Sequence, residues 1–153
     1  MIPIRPCPAT APEAMACLTA YFAELSARFG QTFAPYADAD PGALEPPRGL
    51  FLIAGAAEPL GCVALRTATE GIGPGLGEVK RLWVAPAARG AGLARNLMAE
   101  VEARARAMGL TALRLDTSRH LPEARALYLR DGWTEIAAYN SNPHADHWFE
   151  KPL

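Results

Sequence analysis

The chain has 153 residues, of which 50% are hydrophobic and 20% are charged, and its formal net charge at pH 7 is −1. This length is enough to bury the core of one compact domain, and the near-neutral charge argues against coating nucleic acid or binding membranes through a polybasic surface. The longest apolar stretch, residues 50–57, is far shorter than the roughly 18 residues that a membrane span requires. We therefore expect one soluble domain over residues 1–153.

The amino-terminal residues carry no basic segment followed by an apolar core, so we expect a cytoplasmic protein. The cysteines Cys7, Cys17 and Cys62 are odd in number and widely separated. This pattern fits neither a disulfide framework nor the close pairs of a structural zinc site. We interpret all three as small buried residues.

Hydrophobic periodicity predicts the first elements of a mixed α/β fold. A short strand over residues 2–7 is followed by a capping box at residues 10–13 with proline in the first turn, and then by a helix that ends near Gly30. Residues 31–48 have no clear periodicity, which predicts a long loop with room for one short helix.

Two apolar runs over residues 50–56 and 60–66 predict an antiparallel hairpin. A glycine-rich connection leads to a strand over residues 78–84, and a helix with an apolar stripe then extends from Gly92 to about Gly109. The last third predicts a strand, a short helix and two further strands, over residues 112–117, 123–130, 133–139 and 147–151. The predicted order is β-α-β-β-β-α-β-α-β-β.

The most specific local pattern lies at the junction between the strand over residues 78–84 and the next helix. Arg89-Gly90-Ala91-Gly92-Leu93-Ala94 places small residues there. Glycine at two positions lets a phosphate approach free backbone N–H groups, and the helix macrodipole adds to the attraction. The pattern therefore predicts a diphosphate-binding loop, unless the glycines only tighten a turn.

Two other phosphate-binding motifs fit this junction poorly. A dinucleotide-binding fingerprint needs a third small residue where Arg95 stands, and no clean βαβ unit precedes it. A Walker-type loop needs Gly-Lys-Ser/Thr, which the chain does not contain.

Two separate segments resemble the GNAT superfamily of acetyl-coenzyme A-dependent N-acetyltransferases. Residues 84–94 resemble its cofactor motif, a strand followed by Arg/Gln-x-x-Gly-x-Gly/Ala and a helix, and Ala124-Arg125-Ala126-Leu127-Tyr128 with Gly132-Trp133 resembles its second motif. With the matching element order, the resemblance covers about residues 2–151. It implies a mixed central sheet of about six to seven strands flanked by about four helices, splayed between the Glu78–Val84 and Ala112–Thr117 strands.

The resemblance implies an enzyme that moves acetyl from acetyl-coenzyme A to a primary amine by direct attack in a ternary complex. The pyrophosphate would lie on the Arg89–Arg95 loop, and the pantetheine arm would pair with the main chain of the preceding strand. The implied cofactor-binding residues are Leu82, Trp83, Val84, Arg89, Gly90, Ala91, Gly92, Leu93, Ala94 and Arg95. Leu121 stands where many members have an asparagine, so one side-chain hydrogen bond to the pantetheine would be absent.

The chemistry requires a base and an acid. An alkylamine with a pKa of about 10.4 is almost wholly protonated at pH 7, and freeing its nucleophilic form costs about 4 to 5 kcal/mol. Glu78 lies 11 residues before Arg89, the spacing at which some family members carry a catalytic glutamate. Asp116, a water chain, or a merely solvated Glu78 are the alternatives. Tyr128 matches the family's tyrosine that protonates the leaving thiolate; the alternative is a core tyrosine.

The acceptor is less well defined by the sequence. The polar and aromatic segment between the last two strands, together with the long loop, supplies the candidate acceptor-binding residues Tyr36, Asn140, Asn142, His144 and His147. We expect a small-molecule or peptide amine as acceptor, no nucleic-acid or membrane partner, no metal, and, by analogy alone, a possible homodimer. The alternative function is an acyl-coenzyme A-binding sensor or regulatory module without turnover.

Overall fold

The computed structural model describes residues 1–33 and 40–153, and it confirms the predicted order of strands and helices. The seven strands are β1 Ile4–Pro6, β2 Gly49–Ala54, β3 Gly61–Arg66, β4 Leu76–Val84, β5 Ala112–Thr117, β6 Thr134–Ile136 and β7 His147–Pro152. The α-helices of the described residues are α1 Pro12–Phe29, α2 Leu93–Ala107 and α3 Pro122–Arg130. There are three of them rather than about four, because residues 41–44 of the long loop form only a short 3-10 helix. A second 3-10 turn covers Pro86–Ala88.

The strands form one sheet in the order β1-β2-β3-β4-β5-β7-β6. Every neighbouring pair is antiparallel except β4 and β5, which are parallel. This parallel pair is joined only between residues 76–78 and residues 112–114. Residues 79–84 of β4 therefore have no partner in β5, and the expected splay between these two strands is present.

Helices cover both faces of the sheet. One buried cluster packs α2 against β2, β3 and β5, and the other packs α1 against the opposite face of β2 and β3. Because both faces of β2 are covered, its sequence Gly-Leu-Phe-Leu-Ile-Ala is continuously apolar instead of alternating, and all six residues are buried. None of the described helices is long and apolar enough to cross a membrane.

The N-terminal end of α1 departs from the predicted capping box, whereas its C-terminal end is at the predicted glycine. The N-cap is Ala11 rather than Thr10, and no side chain caps the helix. Pro12 supplies the fixed φ of the first turn, and Glu13 lies beside Arg5 with an Oε1 to Nη2 distance of 3.4 Å instead of bonding back to the cap. At the other end, Gly30 adopts the left-handed conformation and its N–H donates to Ser26, as predicted.

Truncation of a core leucine will show where the stability of the fold originates. Leu97 on α2 is 0% exposed, whereas Leu129 on α3 is 49% exposed. We expect Leu97→Ala to lower the free energy of unfolding by about 2 to 5 kcal/mol, because it leaves a cavity in the core. The control Leu129→Ala should change it by at most about 0.5 kcal/mol. Urea denaturation measures both; equal effects would contradict the described packing.

Candidate active site

A cavity of about 580 Å³ lies between α1, α3 and the unpaired half of β4. Nine of the ten predicted cofactor-binding residues line it, Ala91 being the exception. Four arginines and two glutamates also border this cavity, namely Arg28, Arg89, Arg95, Arg130, Glu24 and Glu123. The formal excess of positive charge favours an anionic occupant.

The backbone of the loop before α2 has free donors. The six N–H groups from Gly90 to Arg95 donate to no acceptor in the described part of the chain, and Asn96 is the first residue whose N–H bonds back, to Gly92 at 3.0 Å. Gly90 and Gly92 have φ of 85° and 83°, and a Cβ at either would meet nothing within 4 Å. Glycine is therefore needed for the left-handed backbone, and the loop opens onto free space. Such a run of amides suits a phosphate group.

The side chain of Arg89 is used within the protein. Its Nε donates to the Val84 carbonyl at 2.9 Å, and its Nη2 lies 2.5 Å from Glu24 on α1. These bonds tie the glycine loop to the end of β4 and to α1. Arg89 would therefore contribute to cofactor binding mainly by holding the glycine loop in position.

A β-bulge bends β4 where the strand borders the cavity. Ala64 pairs with Lys80 but Cys62 pairs with Trp83, so β4 has one extra residue here. Arg81 has a φ of 59°, and its carbonyl accepts a hydrogen bond from the Cys62 thiol at 3.3 Å. A non-glycine residue in this conformation carries about 1 kcal/mol or more of strain, and such residues cluster at functional sites.

A second cavity of about 490 Å³ adjoins the first on the other side of the splay. It is bordered by both predicted catalytic residues and by three of the predicted acceptor-binding residues, namely Glu78, Tyr128, Asn140, Asn142 and His144. His147 is not among the lining residues; its Nδ1 lies 2.8 Å from Glu135. Tyr36 lies outside the described residues.

Glu78 is 1% exposed, so the alternative of a solvated residue at a strand edge is wrong. Its Oε1 accepts from Arg66 Nε at 2.8 Å and from Thr69 at 3.3 Å, and its Oε2 accepts from the Tyr139 hydroxyl at 2.7 Å. Burial and then the charge of Glu78 raise the pKa of Tyr139, which keeps that phenol protonated as a donor. A carboxylate offers about four lone-pair positions, and the short bonds occupy two.

Asp116 at the end of β5 anchors the loop between β6 and β7. Its carboxylate accepts from Lys80 Nζ at 3.2 Å, from Asn140 Nδ2 at 2.7 Å and from Asn142 Nδ2 at 3.3 Å. The Asn140 Oδ1 atom in turn accepts from Trp148 Nε1 at 2.9 Å. Both asparagines are therefore engaged within the protein and hold the loop that borders the second cavity.

Lys80 connects the two carboxylates across the splay. Its Nζ atom lies 3.7 Å from Glu78 Oε2 and 3.2 Å from Asp116 Oδ2. No sequence pattern singles out Lys80, Arg66 or Tyr139, because their roles depend on partners far away in the chain. Only the alternation of polar residues along β4 could have suggested that Glu78 and Lys80 share one face.

Tyr128 is both a core residue and a cavity residue. It is 6% exposed, and its ring centroid lies 5.9 Å from those of Trp133 and Phe149. Burial, followed by the effects of Tyr21 and Asp116, raises the pKa of Tyr128, so its hydroxyl remains protonated at neutral pH. The two alternatives for this residue are compatible, since the same ring packs in the core and borders the second cavity.

His144 belongs to an aromatic group at the mouth of the second cavity. Its ring centroid lies 4.9 Å from that of Phe33 and 5.9 Å from that of Phe29, and its Nδ1 lies 3.2 Å from Gln31 Nε2. Within residues 1–33 and 40–153, no three His, Cys, Asp or Glu side chains are grouped so that they could hold a metal ion.

The two cavities share part of their walls. Five residues border both, namely Tyr21, Leu25, Leu82, Leu121 and Ala124. Tyr21 was missed at the level of sequence, although it lies three residues after Leu18 and four before Leu25, the spacing of one helix face.

Removal of the Lys80 ammonium will test the buried charge network. We expect Lys80→Met to lower the free energy of unfolding by about 3 kcal/mol, because it leaves the buried carboxylates of Glu78 and Asp116 without their shared cation. The control is Arg104→Met, which removes the cation of an exposed pair with Glu100 and should cost at most about 1 kcal/mol. Urea denaturation at neutral pH measures both variants; a cost for Lys80→Met no larger than that of the control would contradict the network.

Comparison with known proteins assigns this fold to a family. The model of the acetyltransferase (GNAT) family matches residues 14–133. An IAA acetyltransferase of Azospirillum brasilense is 40% identical over 97 residues, which cover 61% of each protein. A Klebsiella pneumoniae protein solved as a candidate acyl-CoA N-acyltransferase is 31% identical, with a TM-score of 0.78 and coverage of 100% of this chain and 98% of that one.

A third comparison concerns the fold alone. N-acetylglutamate synthase of Neisseria gonorrhoeae, solved with coenzyme A and N-acetylglutamate, is 20% identical, with a TM-score of 0.72 over 100% of this chain and 35% of that one. The chain spans about three fifths of the length of the curated relatives it matches, 61% and 60%. Because the family model matches residues 14–133, which are most of the chain, this protein belongs to the acetyltransferase (GNAT) family.

Proposed function

We propose that this protein is an N-acyltransferase that transfers acetyl from acetyl-coenzyme A to a primary amine by direct attack in a ternary complex. The observation that carries the proposal is the pair of adjoining cavities at the splay between β4 and β5. One cavity ends on the free amides of the glycine loop, and the other contains the buried carboxylates and Tyr128. A donor and an acceptor can thus approach the same point from opposite sides.

The first cavity suits coenzyme A. The diphosphate would accept hydrogen bonds from the amides of residues 90–95, next to the positive end of α2. The pantetheine arm, which carries amide groups, would pair with the main chain of residues 79–84, where β5 provides no partner. Leu121 borders this cavity with an apolar side chain, so the arm would be held there by main-chain contacts and by packing.

The second cavity suits an amine attached to an apolar or aromatic body. Phe22, Phe29 and Phe33 border it. Among the described residues that line it, three cationic side chains are formally balanced by three carboxylates, the six being Arg66, Lys80, Arg81, Glu70, Glu78 and Asp116. With balanced charge, apolar contact with the aromatic wall would contribute most of the binding free energy.

The reaction can be written with its protons in balance. The amine nitrogen attacks the thioester carbonyl carbon, the new C–N bond forms, and the C–S bond breaks. An ammonium loses two protons on becoming an amide, and the departing thiolate takes up one, so the net reaction releases one proton. Tyr128 would donate to the sulfur, because its raised pKa keeps it protonated until the thiolate forms.

We propose Glu78 as the group that accepts the proton of the amine, through an intervening water. Its short bonds to Arg66 and Tyr139 leave lone-pair capacity for a water from the cavity that it borders. Asp116 is the alternative base, since it borders the same cavity.

One observation favours the alternative of an acyl-coenzyme A sensor without turnover. Both cavity carboxylates, Glu78 and Asp116, already accept hydrogen bonds from protein groups. In a sensor, this network would only shape the site. Tight binding of acetyl-coenzyme A with no thiol release from any amine would favour that reading.

A bulky side chain at the glycine loop should abolish cofactor binding. We expect Gly92→Trp to reduce the affinity for acetyl-coenzyme A by at least about 100-fold in calorimetric titration, because the indole would occupy the diphosphate site. Gly109→Trp is a matched control, since Gly109 has a φ of 82° and open space at its Cβ position but lies at the far end of α2. Equal binding by both variants, each shown to be folded, would contradict the assigned site.

Removal of the Tyr128 hydroxyl should slow turnover without weakening cofactor binding. Thiol release is measured with a panel of aromatic and aliphatic primary amines, and Tyr128→Phe is expected to lower kcat by about 100-fold or more. Trp133→Phe is the control, because Trp133 packs on the Tyr128 ring but borders neither described cavity. If that control loses as much activity as Tyr128→Phe, the effect comes from packing, and the acid role is wrong.

A further inference from the structure

Among the described residues, the wall shared by the two cavities has one polar side chain. Leu25, Leu82, Leu121 and Ala124 contribute only hydrocarbon to it, and Tyr21 contributes a phenol. If acyl-coenzyme A enters from one cavity and the amine from the other, the reacting carbonyl must lie at this shared wall. The inference that follows rests on the proposed function in this respect.

The Tyr21 hydroxyl has the properties of a free donor. It has no hydrogen-bond partner among the described residues, and its ring is fixed by an edge contact with Phe22 at 5.1 Å between centroids. Burial is the main cause of a raised pKa for Tyr21; Cys62, Asp116 and Glu24 raise it further and Arg81 partly offsets them, so the phenol keeps its proton at neutral pH. Tyr21 is half-buried and borders both cavities, so its hydroxyl can donate to a ligand acceptor there without breaking a bond within the described part of the protein.

Tyr21 and Tyr128 occupy different positions relative to the reaction. Tyr21 on α1 borders both cavities, whereas Tyr128 on α3 borders only the acceptor-side cavity. The two phenols are close enough for the charge state of Tyr21 to influence the pKa of Tyr128. Two hydroxyls near one thioester can serve its two heteroatoms, the carbonyl oxygen and the sulfur.

We propose that Tyr21 is a further catalytic residue, whose hydroxyl donates a hydrogen bond to the thioester carbonyl oxygen where the two cavities meet. As the amine attacks, the carbonyl electron pair moves onto that oxygen, and the bond from Tyr21 strengthens. When the carbonyl re-forms and the C–S bond breaks, the electron pair returns. Tyr21 keeps its proton throughout, while the sulfur is protonated by the other phenol.

The apolar neighbours of Tyr21 would increase the effect of this single donor. Three leucines and an alanine exclude water from the shared wall once the ligands are in place. A hydrogen bond to a developing negative charge is worth more in such surroundings than in water. Loss of one donor of this type lowers turnover by about 100-fold or more in other acyl-transferring enzymes.

The test compares two ligands that differ only at the carbonyl. The full-length wild-type protein and Tyr21→Phe are titrated with acetyl-coenzyme A and with S-ethyl-coenzyme A, in which a methylene replaces the carbonyl. We expect the wild type to prefer acetyl-coenzyme A by about fivefold or more, and Tyr21→Phe to bind both ligands equally, with unchanged affinity for the thioether. With an amine identified in the thiol-release panel, kcat of this variant should fall by about 10- to 100-fold at saturating acetyl-coenzyme A.

The outcomes separate this inference from the proposed function. If Tyr21→Phe keeps the preference for the carbonyl ligand and keeps kcat, main-chain donors of β4 suffice, and the role of Tyr21 is overturned while cofactor binding stands. If the wild type binds neither ligand, the proposed function fails, and the inference fails with it. Tyr128→Phe is expected to retain the carbonyl preference, because its hydroxyl is assigned to the sulfur.

A second measurement requires no variant. A hydrogen bond to the thioester carbonyl lowers its stretching frequency, so infrared difference spectra of acetyl-coenzyme A, carbon-13 labelled at the carbonyl and bound to the wild type, should show a downshifted band. A band at the frequency seen in a non-hydrogen-bonding solvent would overturn the proposal even if Tyr21→Phe did not fold.

Discussion

The site depends on the early end of the pairing between β4 and β5. These parallel strands are joined only up to Glu78 and Arg114, and each then continues without the other. The bulge at Arg81 turns β4 further away, and the opening that results becomes two adjoining cavities. A sheet paired along its full length would have no free main-chain groups at its centre and no room for a ligand there, since adjacent strands lie only about 4.8 Å apart.

At this opening, beyond the last backbone hydrogen bonds between β4 and β5, the two strands are connected by a side-chain ion pair. Lys80 on β4 and Asp116 on β5 form an ion pair across it, and Glu78 adds a second carboxylate beside the same ammonium. Isolated charges at such burial would be strongly unfavourable, so each one requires its partner. The same network extends through Asn140 to the loop between β6 and β7, and it thereby fixes one wall of the second cavity.

The division of polar groups between the cavities matches a division of chemical tasks. Free amides and a positive formal charge lie at the glycine loop, where a diphosphate would be bound. Carboxylates that accept hydrogen bonds from protein groups line the second cavity, and two phenols whose pKa burial raises lie near the boundary. Acyl transfer develops negative charge on the carbonyl oxygen in the transition state. Hydrogen-bond donors that are rigid and poorly solvated stabilise this charge with little reorganisation of their own.

Local periodicity and turn chemistry predict the element order and the glycine loop, and both are present. Glu78 and Tyr128 were singled out by the resemblance to a family, and both border one cavity. The N-cap of α1 lies one residue after the position that the sequence predicts. Asn140 and Asn142, predicted to bind the acceptor, border the second cavity and also bond to Asp116. The positions of Tyr21 at the boundary of the cavities and of Lys80 between two strands become visible only in the folded chain. Such roles depend on contacts between residues far apart in the chain, and no local pattern encodes which distant partner a buried polar group will meet.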